Sequence, residues 1–251
     1  MAVSGHADSL AALRAEPGRT AILLDFDGSL SEIVERPELA RPVDGARDIL
    51  AALAETHALV AVVSGRPTAD LTQLLGVPSV RLAGHYGRLV DQAPASVSAE
   101  ARERVAAVAG GLDGVWVDDK GESLAVHFRL AAHPEAAREA LIAPLGVIGR
   151  DEGLELIEGK MVLELVRKGA PRKGEAVARL VREADALAAM FAGDDLADLE
   201  AFEALDRLGD QGIAVVKVAV RGPETPAVLL QAADVTVDGP AGLVELLRRL
   251  R

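Results

Sequence analysis

"AILLDFDGSL", residues 21–30, carries four apolar residues into two aspartates and a glycine. So continuous an apolar run leaves no wet face, and it reads as a strand buried on both sides, as in a parallel sheet covered by helices. Residues two apart on a strand point to one face, which puts Asp25 and Asp27 side by side at the strand's carboxyl end. Two ionised carboxylates that close repel each other, and a positive group is needed between or beside them.

The same rhythm recurs on either side of a different middle. LVAVVSG (59–65), a strand near 79–83, AAMFAG (188–193), GIAVVKV and ADVTV alternate with helix-period segments near 43–55 and 68–75, at KGEAVARLVREADAL, at DLADLEAFEALDRL and at AGLVELLRRL. The middle instead repeats helix, strand, strand: a helix near 98–109, strands near 115–119 and 122–130, a helix near 134–144, and strands near 153–157 and 160–167. In SLAVHFRL, Leu124, Val126, Phe128 and Leu130 share one parity while Ser123, Ala125, His127 and Arg129 share the other. In GKMVLELV, Lys160 and Glu164 fall opposite Met161, Leu163 and Leu165. One greasy and one polar face mark an antiparallel sheet with helices on one side. The expected fold is α/β: a doubly wound, parallel-sheet, Rossmann-like core at 1–92 and 169–251, with an inserted α+β domain at 93–168 made of an antiparallel sheet and two helices.

Composition narrows the partners. The 251 residues include 27 Lys and Arg against 39 Asp and Glu, for a net charge of -12, with no basic tract. That balance argues against nucleic acid and anionic membrane surfaces. Cysteine is absent, so thiolate chemistry and disulfides are excluded. No stretch reaches the roughly 18 consecutive apolar residues of a membrane span, and the N-terminus has no basic start. A soluble, cytoplasmic protein is expected, and nothing marks an obligate protein partner.

A second acidic set stands in FAGDDLADLE (191–200), where Asp194 and Asp195 follow a strand and open a helix, with Asp198 one turn on. Alone, Asp194 also has a reading as a helix cap. In a doubly wound sheet, however, the carboxyl ends of the strands line one crevice, so both acidic sets would meet there. Hard oxygen donors around one cleft suit Mg²⁺, with Mn²⁺ accepting the same set. VVSGRP (62–67) brings Ser64, Gly65 and Arg66 to the end of another strand, and PRKGEAV (171–177) puts Lys173 at a helix start, where a cation opposes the dipole unless it meets an anion. Taken singly these are an ordinary turn and a basic patch. In this order they form a phosphoryl-transfer site.

The chain here resembles the haloacid dehalogenase superfamily of aspartate-nucleophile phosphatases, through the DxDG(S/T) motif at Asp25–Ser29, Ser64, Lys173, and GDDxxD at Gly193–Asp198. The resemblance implies that Asp25 is the nucleophile and Asp27 the acid and base. It also implies that Ser64 and Lys173, with Gly65 and Arg66, hold the phosphoryl group. Mg²⁺ would be bound by Asp25, the main-chain carbonyl of Asp27 and Asp194, with Asp195 or Asp198 acting directly, through water or from behind. The insertion, together with DFDGSLSEIVERPELA, VAVVSGRP, LAGHYG, SLAVHFR, GKMVLEL and FAGDDLADLEAF, is similar to trehalose-6-phosphate phosphatases with a C2B-type cap. That likeness implies trehalose 6-phosphate as substrate, a cap that closes over the core, and sugar contacts at the matching positions Asp118, Lys120, Arg129, Lys160 and Glu164. The chain departs from the family pattern at Ser29, Asp118, Ala197 and Leu199, and the loop before Lys173 is longer, which leaves Arg172 as an alternative to the lysine. Other readings stay open: a phosphatase of sucrose phosphate, mannosyl-3-phosphoglycerate or a hexose phosphate, a phosphomutase, or a receiver-type phospho-aspartate signalling domain.

Overall fold

Thr20–Leu24 is fully buried and paired on both sides in the computed structural model, which describes residues 6–87, 96–169 and 172–251. In chain order the strands are β1 Thr20–Leu24, β2 Leu59–Val63, β3 Arg81–Ala83, β4 Trp116–Asp119, β5 Leu124–His127, β6 Leu154–Gly159, β7 Val162–Arg167, β8 Ala188–Gly193, β9 Ala214–Arg221 and β10 Val235–Asp238. The α-helices are α1 His6–Ala15, α2 Ala46–Ala54, α3 Thr68–Leu75, α4 Ala99–Ala109, α5 Pro134–Glu152, α6 Lys173–Glu183, α7 Ala197–Gly209, α8 Ala227–Ala232 and α9 Gly239–Arg248. They fall into two compact units, Met1–Arg88 with Pro171–Arg251, and Leu89–Ala170. The expected boundary at 92/93 lies outside the described residues.

In the first unit six parallel strands stand in the order β10-β9-β8-β1-β2-β3. Both faces are covered, as the unbroken apolar runs require. Ile22 and Leu24 of β1 pack with Leu50, Leu53, Leu71 and Leu247 on one side, while Leu23 packs with Val177, Leu180, Phe202 and Leu205 on the other. Strand order runs outward from β1 in both directions, to β2 and to β8, so the carboxyl end of β1 sits at the point where the connections diverge and a crevice opens.

In the second unit four antiparallel strands stand in the order β4-β5-β7-β6. Helices α4 and α5 supply Val105, Leu141 and Leu145 to a core shared with Leu124, Val126, Leu163 and Leu165. Cross-strand register then places Asp118, Ala125, Glu164 and Ile157 in one row on the opposite parity. Two elements differ from expectation. β5 ends at His127 rather than near 130, because Phe128 leaves the ladder for a turn closed by the Ala131 N–H on its carbonyl. α5 continues past Pro144 to Glu152, because Leu145 and Ile148 are buried against the sheet and outweigh the missing proline N–H. Helices α1 and α8 have no counterpart in the sequence reading. No helix among the described residues is long and apolar enough to cross a membrane.

Candidate active site

β1 ends at Leu24, so Asp25 and Asp27 belong to the turn beyond it rather than to the strand. The Asp25 N–H still donates to the Ala192 carbonyl of β8, and the Ser29, Leu30 and Ser31 N–H groups wind around the Phe26 carbonyl. The two aspartates consequently diverge. Asp25 is buried and accepts a hydrogen bond from Lys173 Nζ at 2.7 Å, whereas half-exposed Asp27 accepts two from Arg66, at 2.6 Å from Nε and 2.7 Å from a terminal nitrogen. The pair was expected side by side on one face of the strand, and the early end of the strand explains why they part. Gly28 has φ +82°, and a Cβ there would lie 2.1 Å from Asp194 Oδ2, so the glycine of this motif lets the β1 turn close onto the acidic pair after β8.

Lys173 opens α6 and is itself buried, with Nζ 2.7 Å from Asp25 Oδ1 and 2.6 Å from Asp198 Oδ1. The ammonium also lies 5.8 Å from the ring of Tyr86 and 5.9 Å from that of Phe191. A Cβ on Gly174 would meet the Glu200 carbonyl at 2.3 Å, so a bare Cα there brings α6 against α7 and carries Lys173 to Asp198. The other Asp198 oxygen accepts from the Asp194 N–H at 2.7 Å and the Asp195 N–H at 2.8 Å. Thus Asp198, in the first turn of α7, reaches back to the N–H groups of the turn that precedes its helix while its first oxygen holds the lysine. Asp195 turns away to accept from the Leu196 N–H.

Asp25, Asp194 and Asp198 are all buried, and each offers an oxygen within 4.8 Å of the others'. Burial pushes the Asp25 carboxyl well above its ordinary range, Asp198 and Asp194 push it the same way, and Lys173 does not offset them. Burial acts to lower Lys173, but Asp198 and Asp25 outweigh it and hold the ammonium well above its ordinary value. One buried cation therefore faces three buried carboxylates. The donor set is all hard oxygen, and the cluster could hold a metal ion. Asp198 has both oxygens engaged, which makes Asp25 and Asp194 its carboxylate ligands of choice.

Ser64 directly follows β2, donating its N–H to the Ala83 carbonyl and accepting from the Arg66 N–H at its hydroxyl. Arg66 lies over the Phe26 ring, 5.4 Å from the centroid, with its guanidinium committed to Asp27. Sequence reasoning placed Arg66 with the substrate and missed this clasp. It joins two loops 39 residues apart, and neither loop's motif signals it.

In the antiparallel unit, Glu164 is buried and accepts from Ser123 Oγ at 2.6 Å and Lys120 Nζ at 3.0 Å. Burial acts to raise its carboxyl, but Lys120 and the Ser123 hydrogen bond outweigh that and hold it below the ordinary range. Asp118 shares its row, and the next row stacks Trp116 on His127 with centroids 4.1 Å apart. Arg129 donates to the Lys160 carbonyl at 3.3 Å.

Residues 23–228 match the model of the trehalose-phosphatase family. The chain belongs to that family. It is 34% identical over 268 residues to a trehalose-phosphate phosphatase of Mycobacterium avium, a match covering 99% of this chain and 65% of that protein. A relative of the same description in Mycobacterium ulcerans is 31% identical, again over 65% of its length. The chain thus spans just under two thirds of these curated relatives. Among solved structures, the C-terminal domain of a C. albicans trehalose-6-phosphate phosphatase shares the fold at a TM-score of 0.82 and 23% identity, covering 99% of this chain and 97% of that one. An Aspergillus fumigatus trehalose-6-phosphate phosphatase gives 0.63 at 26% identity, covering 99% and 97%.

Proposed function

We propose that this trehalose-phosphatase family chain is a Mg²⁺-dependent, cytoplasmic phosphatase that hydrolyses trehalose 6-phosphate to trehalose and phosphate through an aspartyl-phosphate. The observation that carries the reading is the buried cluster in which Lys173 bridges Asp25 and Asp198 beside Asp194. In the first step an Asp25 oxygen attacks phosphorus, the bond from phosphorus to the sugar oxygen breaks, and that oxygen takes a proton from Asp27. In the second, Asp27 takes a proton from water, whose oxygen attacks phosphorus and frees the Asp25 carboxylate and orthophosphate. Lys173 and the Ser64 hydroxyl donate to the phosphoryl oxygens throughout, with Gly65 and Arg66 completing their loop. Asp25, Asp194 and the Asp27 carbonyl, with Asp195 nearby, would hold Mg²⁺, which would supply positive charge against the phosphoryl oxygens. Arg66 fixes the Asp27 side chain between turnovers.

Residues 1–92 and 169–251 carry this chemistry in the proposal, and residues 93–168 recognise the sugar. The polar parity of the antiparallel sheet supports that division, since Asp118, Lys120 and Glu164 cluster there with Arg129 and Lys160 close along the chain. The partner is a small sugar phosphate, not nucleic acid or a membrane.

The test is phosphate release from trehalose 6-phosphate, sucrose 6-phosphate, glucose 6-phosphate and a mannosyl-3-phosphoglycerate, with Mg²⁺ and with chelator. A chelator-sensitive preference for trehalose 6-phosphate is expected. Equal rates across the panel would remove the substrate assignment, and no release from any ester would remove the phosphatase.

A further inference from the structure

His85 and Tyr86, in the turn after β3, both adopt left-handed backbone conformations, with φ +48° and +56°. Two consecutive non-glycine residues in that region carry strain, and such strain persists only where surrounding contacts enforce it. Those contacts run to the Ser64 loop. The His85 N–H donates to the Arg66 carbonyl, the Tyr86 N–H to the Ser64 carbonyl, and the Ser64 N–H to the Ala83 carbonyl, each at 2.9 to 3.1 Å.

Two glycines allow this close approach. A Cβ on Gly84 would lie 2.4 Å from the Thr68 nitrogen, and a Cβ on Gly65 would lie 2.7 Å from Tyr86 Oη and 2.8 Å from Cζ. The space that Gly65 leaves beside Ser64 is therefore filled by the phenol. The ring of the same tyrosine lies 5.8 Å from the Lys173 ammonium that holds Asp25. One side chain thus lies beside both loops assigned to the phosphoryl oxygens, with its hydroxyl against Gly65, the neighbour of Ser64, and its ring facing the lysine.

We infer that the Tyr86 hydroxyl is a further phosphoryl-binding group, donating to an oxygen of the phosphoryl group between Ser64 and Lys173. The inference rests on the phosphatase reading above. Because the phosphoryl group is common to every ester, losing the hydroxyl affects all substrates alike.

Tyr86→Phe removes only that oxygen. Relative to wild type it is expected to lower kcat/KM about tenfold or more, as for a hydrogen bond to a charged group, equally on trehalose 6-phosphate and an aryl phosphate. Orthovanadate inhibition should weaken by a similar factor, with thermal stability unchanged. Rates and vanadate affinity within twofold of wild type would overturn the inference while leaving the phosphatase standing. A loss confined to trehalose 6-phosphate would also overturn it, placing the hydroxyl on the sugar. A wild-type chain that hydrolysed no phosphate ester would bring down both. Should Tyr86→Phe fold poorly, 3-fluorotyrosine placed at Tyr86, the one tyrosine of the chain, decides: its fluorine NMR signal is expected to move on orthovanadate binding, and an unmoved signal would overturn the inference.

Discussion

Asp25 in the parallel-sheet unit and Glu164 in the antiparallel one are both buried carboxylates held by a lysine, yet their surroundings move them in opposite directions. Glu164 has Lys120 and the Ser123 hydroxyl to itself, and stays ionised below its ordinary range. Asp25 shares Lys173 with Asp198 and lies beside Asp194, so burial and repulsion drive it upward. The Glu164 site is complete as a set of protein groups. The Asp25 site has more buried carboxylates than its one lysine can balance, which suits the metal and phosphoryl contacts proposed for it.

The sharpest break of this comparison is Asp25→Asn. We expect turnover to fall on the order of 10⁴-fold or more, as for loss of a nucleophile, with the fold retained by circular dichroism. A wild-type rate in Asp25→Asn would assign the nucleophile elsewhere. Next comes a pair of lysine deletions. Lys173→Met strands the buried Asp25 and Asp198 and Lys120→Met strands Glu164, each at a cost of about 3–5 kcal/mol or more read by urea unfolding. Mg²⁺ should recover part of the loss in Lys173→Met, where a second cation can join the three aspartates, and none in Lys120→Met. Equal recovery in both would show that the two sites do not differ in their need for a cation.

Much of this difference was legible in the sequence, and the reason lies in spacing. The buried runs before Asp25 and Asp194 announced strands of a parallel sheet, and the returning rhythm after residue 173 announced that the middle was an insertion. Strand parity announced the polar row containing Glu164. What stayed hidden depends on where backbone direction changes. Strand parity could not be carried past Leu24, so the divergence of Asp25 and Asp27 was missed, and with it the Arg66 clasp. Parity put Lys160 on the side of Glu164 but gave no sign that Lys120 reaches it from the turn between β4 and β5. Asp198 carried a signal that was underused: an acidic residue in the first turn of a helix can reach back to backbone N–H groups three or four residues before it. Tyr86 offered none, since its position follows from a left-handed turn between two glycine contacts.

Smaller effects sharpen the antiparallel side. Glu164→Gln is expected to lower kcat/KM for trehalose 6-phosphate about tenfold, in line with loss of a charged hydrogen bond, while leaving an aryl phosphate within about twofold on the same scale. Equal losses would detach Glu164 from the sugar. The same variant reports on acid stability. Because folding depresses the Glu164 carboxyl below its ordinary 4.5, its stabilising contribution is complete above pH 4.5 and disappears as pH falls through the folded-state value. The stability gap between wild type and Glu164→Gln, followed by thermal melts from neutral to acid pH, should therefore hold steady at first and close below pH 4.5. A gap that widened in acid would contradict the direction given for this carboxyl.

The measurement that bears most directly on the account is to trap the covalent step. Asp27→Asn, which retains the nucleophile but lacks the base for hydrolysis, is mixed with Mg²⁺ and an aryl phosphate whose leaving group needs no proton, quenched in acid, and digested for mass spectrometry. The account expects a phosphoryl adduct on the peptide containing Asp25. Phosphate release from that ester with no adduct, or with an adduct on any other residue, would contradict it.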